Sequence, residues 1–193
     1  MSRLNVDKIT GATGTASGAP ITLSGDTATL GSTVTFPAGS IINYKFVEIG
    51  VFELSGTYTA FNISSAATST QGLQVVTTSF SPNSANSKIF CQAQLFVQED
   101  ANISDWAMAA LFVDTDILSQ QINNDRAEAS NFEQVVATLS GEYTNTSLTA
   151  KTIQVRVSGD TNRAMDVNVY NRTGAKNADG YIRTGLSIFE IQQ

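Results

Sequence analysis

Histidine is absent from all 193 residues. That removes the commonest general base, the usual base of a catalytic triad and the commonest zinc ligand. Cys91 is the only cysteine, so no internal disulfide and no thiolate zinc site can form within one chain. No run of about 18 apolar residues occurs, and the start, MSRLNVDKITG, lacks the apolar stretch of a secretion signal. The expectation is a soluble chain made in a cytosol, with no membrane insertion. Four Asn-x-Ser/Thr triplets, at Asn62, Asn102, Asn145 and Asn171, then read as polar turns and not as glycan sites. Basic charge is short as well: 11 Lys and Arg against 17 Asp and Glu leave a net −6, with no local basic cluster. Phosphate binding needs such a cluster, so nucleic acid is excluded as a partner and an anionic membrane surface is disfavoured.

What is present favours strands. Thr, Ser, Asn, Gly and Val are abundant, and a hydrophobic fraction of 41% with 15% charged residues is that of a folded protein. The length suits one large all-β domain, or a domain with an appendage. Residues 1–40 differ from the rest, since 24 of them are Gly, Ala, Ser or Thr. Alone, such a segment buries too little apolar area to offset its ordering entropy. It reads either as a flexible tail or as an extended arm whose apolar pairs, Ile21/Leu23, Ala28/Leu30 and Val34/Phe36, are shared between chains. Pro37-Ala38-Gly39 marks the boundary, and residues 41–193 form the globular part.

The clearest element is Ser79 to Val97. Pro82 and a run of Asn and Ser make a turn, and strict alternation follows. Ile89, Cys91, Ala93, Leu95 and Val97 face one way; Phe90, Gln92, Gln94, Phe96 and Gln98 face the other. Cys91 on the first face reads as a small buried hydrophobe, ahead of a reactive thiol. Further strands are expected over 41–54, with a bend at Gly50, and over 57–63, 73–80, 106–113, 132–139, 152–157, 165–170 and 181–191. Residues 114–130 read as a polar loop with a helical turn near 117–122. Val167 and Val169 alternate with Asn168, which places Asn168 outward. Ile182, Thr184, Leu186, Ile188 and Glu190 oppose Arg183, Gly185, Ser187, Phe189 and Ile191. Eight or nine strands and no long amphipathic helix imply an antiparallel two-sheet sandwich of jelly-roll type.

The order GLQVVTTSFSPNSANSKIFCQAQLFV, AKTIQVRVSGDTNRAMDVNVYNRTG and GLSIFEIQ resembles a β-sandwich module of tailed-bacteriophage virion proteins, common in marine and cyanobacterial phages. The resemblance covers Gly72 to Ile191 well and the first 40 residues loosely. Thr152-Ile153 departs from the Thr-Tyr frequent in that family and removes an exposed aromatic. The resemblance implies a virion structural protein, made in the host cytoplasm: a homotrimeric head-decorating or short fibre protein docked on other virion proteins. Docking is then expected through Leu4, Val6, Ile9, Ile21 and Leu23 of the arm, and subunit contact through Phe90 and Phe96. The alternative is a tail-fibre or spike module that recognises host-surface carbohydrate.

No catalytic pattern emerges from the residues. No GxGxxG or P-loop occurs, and the acidic residues form no suggestive pair for glycoside hydrolysis. Asp114-x-Asp116 lacks the remaining ligand positions of a calcium loop, and a solvated loop is the plainer reading. The expectation is a non-enzyme without cofactor or metal. Aromatic faces stack on pyranose rings, and Tyr143, Tyr170 and Tyr181 beside turns are candidate ligand contacts. Trp106, heading an apolar strand, reads as core before platform.

Overall fold

The computed structural model describes residues 8–9, 21–24, 27–30, 36–50, 52–99, 105–125, 135–159, 164–168 and 184–193. The chain forms two compact units, Met1–Pro37 and Ala38–Gln193. In the first, β1 (Lys8–Ile9), β2 (Ile21–Ser24) and β3 (Thr27–Leu30) make a three-stranded antiparallel sheet. Its register sets Ile9 opposite Ile21, Ile21 opposite Leu30, and Leu23 opposite Ala28. The register thus sets the backbone positions of Ile21/Leu23 opposite those of Leu30/Ala28. Leu4 and Val6 lie outside the described residues.

The second unit is an all-β sandwich. Its strands are β4 (Ile41–Ile49), β5 (Phe52–Leu54), β6 (Leu73–Phe80), β7 (Ser87–Glu99), β8 (Asp105–Val113), β9 (Asp116–Asp125), β10 (Val135–Asn145), β11 (Lys151–Ser158), β12 (Met165–Val167) and β13 (Thr184–Gln192). One sheet runs β4-β13-β7-β10, with the short pair β12-β5 continuing beside the end of β7; the other runs β6-β11-β8-β9. Successive long strands switch sheets, except for the β8–β9 hairpin. That is the strand order of a jelly roll.

Period-two alternation builds the core. Ile89, Cys91, Ala93 and Leu95 of β7, Ala137 and Leu139 of β10, and Leu186 and Ile188 of β13 are buried. They join Val75, Leu111, Val113, Ile153, Val155 and Val157 from the opposite sheet in one cluster. Each buried Leu, Ile or Val side chain contributes about 1.5–3 kcal/mol. Along the β9–β10 edge, Gln121 accepts from the Thr138 N–H (2.8 Å) and donates to the Val136 carbonyl (3.2 Å). Gly141 lets Leu118 approach β10 there; a Cβ would lie 2.8 Å from the Leu118 Cβ. An edge that would otherwise be bare is thereby closed.

Three expectations are corrected. Residues 57–63 form no strand; Phe61 leaves the loop 55–72 to pack with Ala67 on Met108, Ala110 and Phe112. This second small core explains why β8 is apolar on both faces. Residues 116–125 are strand and not helix, because Asp114 at φ 54° reverses the chain tightly and its carboxylate accepts from the Thr152 N–H (2.8 Å). Asn168 points inward, as described below. The bend expected at Gly50 separates β4 from β5, and Trp106 is half-buried against the second core.

Loop and turn are tied down by polar side chains. Arg156 donates Nε–H to the Gln71 carbonyl (2.6 Å) and Nη2–H to the Gly72 carbonyl (2.8 Å), fastening the loop 55–72. Burial lowers the Arg156 pKa from its ordinary range. The turn before β7 closes on Glu190, fully buried, whose carboxylate accepts from Asn83 N–H (2.7 Å), Ser84 N–H (2.9 Å) and the Ser87 hydroxyl (2.8 Å).

Candidate functional site

The outer face of the β4-β13-β7-β10 sheet carries residues of the opposite parity to the core. Register places Tyr44, Phe189, Phe90 and Glu142 side by side across the four strands. The next row is Phe46, Ser187, Gln92 and Ser140, and the one after is Glu48, Gly185, Gln94 and Thr138. One row is thus largely aromatic and the two beside it largely polar. This grouping exists only after the strands pair.

The aromatic row is continuous. The Tyr44 and Phe189 ring centroids are 5.0 Å apart at 39°, and those of Phe90 and Phe189 are 6.3 Å apart at 38°. Such tilted contacts fix the rings against one another. Tyr44 and Phe46 nevertheless stay 53% exposed, which is unusual for large apolar groups grouped together. Phe46 lies across Gly185: a Cβ at that position would collide with its ring. Glycine is required here by close approach, and it seats one side of the ring while leaving the other open.

Beside that ring is a shallow depression of about 350 Å³, lined by Phe46, Gln92, Gln94, Thr138, Thr184, Gly185 and Ser187. The exposed Gln92 and Gln94 offer amide donors and acceptors, and Thr138 and Ser187 offer hydroxyls. Thr184 forms the end of the depression and is held from below. Asn168 donates Nδ2–H to the Thr184 hydroxyl (2.6 Å) and to the carbonyls of Ile49 (3.1 Å) and Gly50 (2.9 Å). Its Oδ1 accepts from the Phe96 N–H (3.0 Å). An open apolar ring flanked by amides and hydroxyls can hold an amphipathic ligand, one face against the ring and its edge hydrogen-bonded.

A second cavity, of about 380 Å³, lies at the loop 55–72 and is lined by Phe61, Asn62, Ile63 and Trp106. The Asn62 carboxamide oxygen is already engaged by the Ser64 N–H (2.8 Å). This second cavity therefore offers less free polar chemistry.

The residues singled out from sequence scatter. Phe90 falls within the aromatic row, and Phe96 lies on the same face, opposite Val136. Tyr143 sits on the inner side, packed at the core margin with the Lys151 ammonium 5.2 Å from its ring centroid. Burial lowers the Lys151 pKa, but the Tyr143 hydroxyl and Asp114 raise it further, and the net direction is upward. Tyr170 and Tyr181 lie outside the described residues. Asp114 is occupied by Thr152 and Lys151, the latter at 3.5 Å. Sequence reasoning missed Tyr44, Phe46, Gln92, Gln94 and Gly185 as a group. The alternation of Tyr44, Phe46 and Glu48 with Lys45, Val47 and Ile49 was the available signal.

No family model and no curated protein matches this sequence. Among solved structures, the chain is similar to the C-terminal domain of EclA, titled a sugar-binding protein, at 12% identity over 70% of this chain and 79% of that one, with a TM-score of 0.35. It is similar to the CBM36-1 domain of a multidomain xylanase from the hindgut metagenome of Trinervitermes trinervoides, at 11% identity over 76% and 96%, TM-score 0.33. It is also similar to dimeric latent PorU from Porphyromonas gingivalis, at 10% identity over 81% of this chain but 14% of that one, TM-score 0.39.

Proposed function

We propose that the chain is a non-enzymatic carbohydrate-recognition module that holds its ligand on the outer face of the β4-β13-β7-β10 sheet. The observation carrying this reading is the exposed Phe46 ring over Gly185, bordered by the Gln92 and Gln94 amides. A sugar ring presents C–H groups on its face and hydroxyls around its edge, and this surface complements both. The sequence resemblance to phage virion proteins supports a setting on a tail fibre or spike, where the ligand is host-surface glycan.

A second reading is a homotrimeric decoration or short fibre protein. It is favoured by Ile41 at 60% exposure on the edge strand that also carries Tyr44 and Phe46. In that reading another copy covers the aromatic row, and the arm docks on the particle. A glycan array probed with the full chain, together with its mass in solution, separates the two. Glycan binding abolished by Phe46→Ala supports recognition. The absence of any bound glycan, with a mass near three times 20.5 kDa that falls to one copy in Tyr44→Asp, supports assembly.

A further inference from the structure

Resting on the carbohydrate reading, we infer that this site selects uncharged oligosaccharides and binds them without a bridging metal ion. The argument comes from the side chains that line and border it. Phe46, Gln92, Gln94, Thr138 and Ser187 are all uncharged. Among the described residues the nearest ionisable group in register is Glu48, exposed and in one row with Gly185 and Gln94, which gives the described rim a negative charge. A uronic or sialic acid carboxylate placed here meets a like charge at short range.

A cation to offset that repulsion is not at hand among the described residues. Lys88, on the same face, is bound to Glu142 at 2.7 Å. Lys45 donates to the Ser79 carbonyl (2.8 Å), Lys151 faces Asp114, and Arg156 is committed to Gln71 and Gly72. A calcium bridge to vicinal hydroxyls needs several oxygen ligands, carboxylates foremost. Among the described residues no group of three or more acidic, His or Cys side chains gathers anywhere, and Glu48 stands as the carboxylate of its row. Amides and hydroxyls instead pair with sugar hydroxyls directly, which makes affinity insensitive to salt and to chelators.

The test is titration calorimetry on the full chain with neutral hexasaccharides (β-1,4-glucan, β-1,4-xylan, β-1,3-glucan, β-1,4-N-acetylglucosamine) and acidic probes (oligogalacturonate, sialyllactose). Each is run with and without EDTA, and at low and high sodium chloride. Neutral probes alone are expected to bind, unchanged by EDTA or salt. Phe46→Ala is expected to weaken binding about tenfold or more, while Ile63→Ser at the second cavity leaves it unaltered, both variants being folded by circular dichroism. Preference for an acidic probe or loss with EDTA overturns this inference and leaves the carbohydrate reading standing; loss in Ile63→Ser but not Phe46→Ala takes the ligand off this sheet and overturns both. Failure of every probe and of the glycan array overturns both.

Discussion

The Asn168 side-chain amide reaches the Thr184 hydroxyl at 2.6 Å from a residue whose own backbone sits at φ 58°. Asparagine tolerates that left-handed geometry better than most residues. Fully buried, it gathers β4, β7 and β13 at one end of the sheet.

Asn168→Ala therefore removes the partner of the Phe96 N–H and of three acceptors, and adds backbone strain. Each orphaned buried group costs about 1–3 kcal/mol and the strain about 1–2 kcal/mol. A loss of at least about 3 kcal/mol is expected in urea denaturation. Asn168→Gly relieves the strain and should lose less; an equal or greater loss would refute the strain contribution.

Glu190→Gln should destabilise by about 2–3 kcal/mol, because an NH₂ group replaces an acceptor facing the Asn83 and Ser84 N–H groups and the Ser87 hydroxyl. Hydrogen exchange should speed up across residues 81–87 before the rest of the sandwich opens. Unchanged protection in that turn would show that the carboxylate does not hold it.

Gly185→Ala forces the Phe46 ring off its seat. Overpacking of this kind costs about 1–3 kcal/mol. On the proposed carbohydrate reading, glycan affinity should fall with it, while Ser140→Ala, farther along the same face, should leave stability within about 0.5 kcal/mol. Full affinity in the Gly185→Ala variant would argue that the ring's position is not what the ligand reads.

Burial pushes the Cys91 thiol from 9.0 up to about 12. The folded chain should resist thiol reagents that label it at once in denaturant. As pH rises past 9 the unfolded thiol ionises first, so stability is intact below 9 and declines between 9 and 12. Lys151, also raised, loses its contribution in the same direction above 10.5. Cys91→Ala should flatten the first part of that decline.

Removing the clamp with Arg156→Ala should expose residues 55–72 to proteolysis ahead of the sandwich strands. Arg156→Lys should rescue little, since one ammonium cannot span the Gln71 and Gly72 carbonyls as a guanidinium does. Equal resistance of variant and parent would mean that Phe61 alone secures the loop.

The sandwich was legible because a sheet with one face in the core writes alternation into the chain: Ile89 to Val97 and Ile153 to Val157 are buried as their parity implies. Asn168 broke the same rule, since a polar residue at an alternating position reads as outward unless its partners are known. Those partners are 16 residues away at Thr184 and 72 to 119 residues away at Phe96, Gly50 and Ile49. Phe61 imitated a strand residue because packing from a loop buries a large apolar side chain as a strand does. The site was the least legible part. Phe90 stood out beside Phe96, but Tyr44 and Phe189 become its neighbours only through β13 register, and nothing local signals that Gly185 lies beneath Phe46.

The two parities of these strands also divide the molecule's future. Gln92, Gln94, Ser187 and Thr138 can be exchanged without touching Ala93, Cys91, Ile188 or Leu139 behind them. A lineage under pressure to follow a changing ligand can rewrite one side of the sheet while the other stays fixed. The Phe46–Gly185 pair is where that freedom stops: Gly185 cannot gain a side chain unless Phe46 gives way with it.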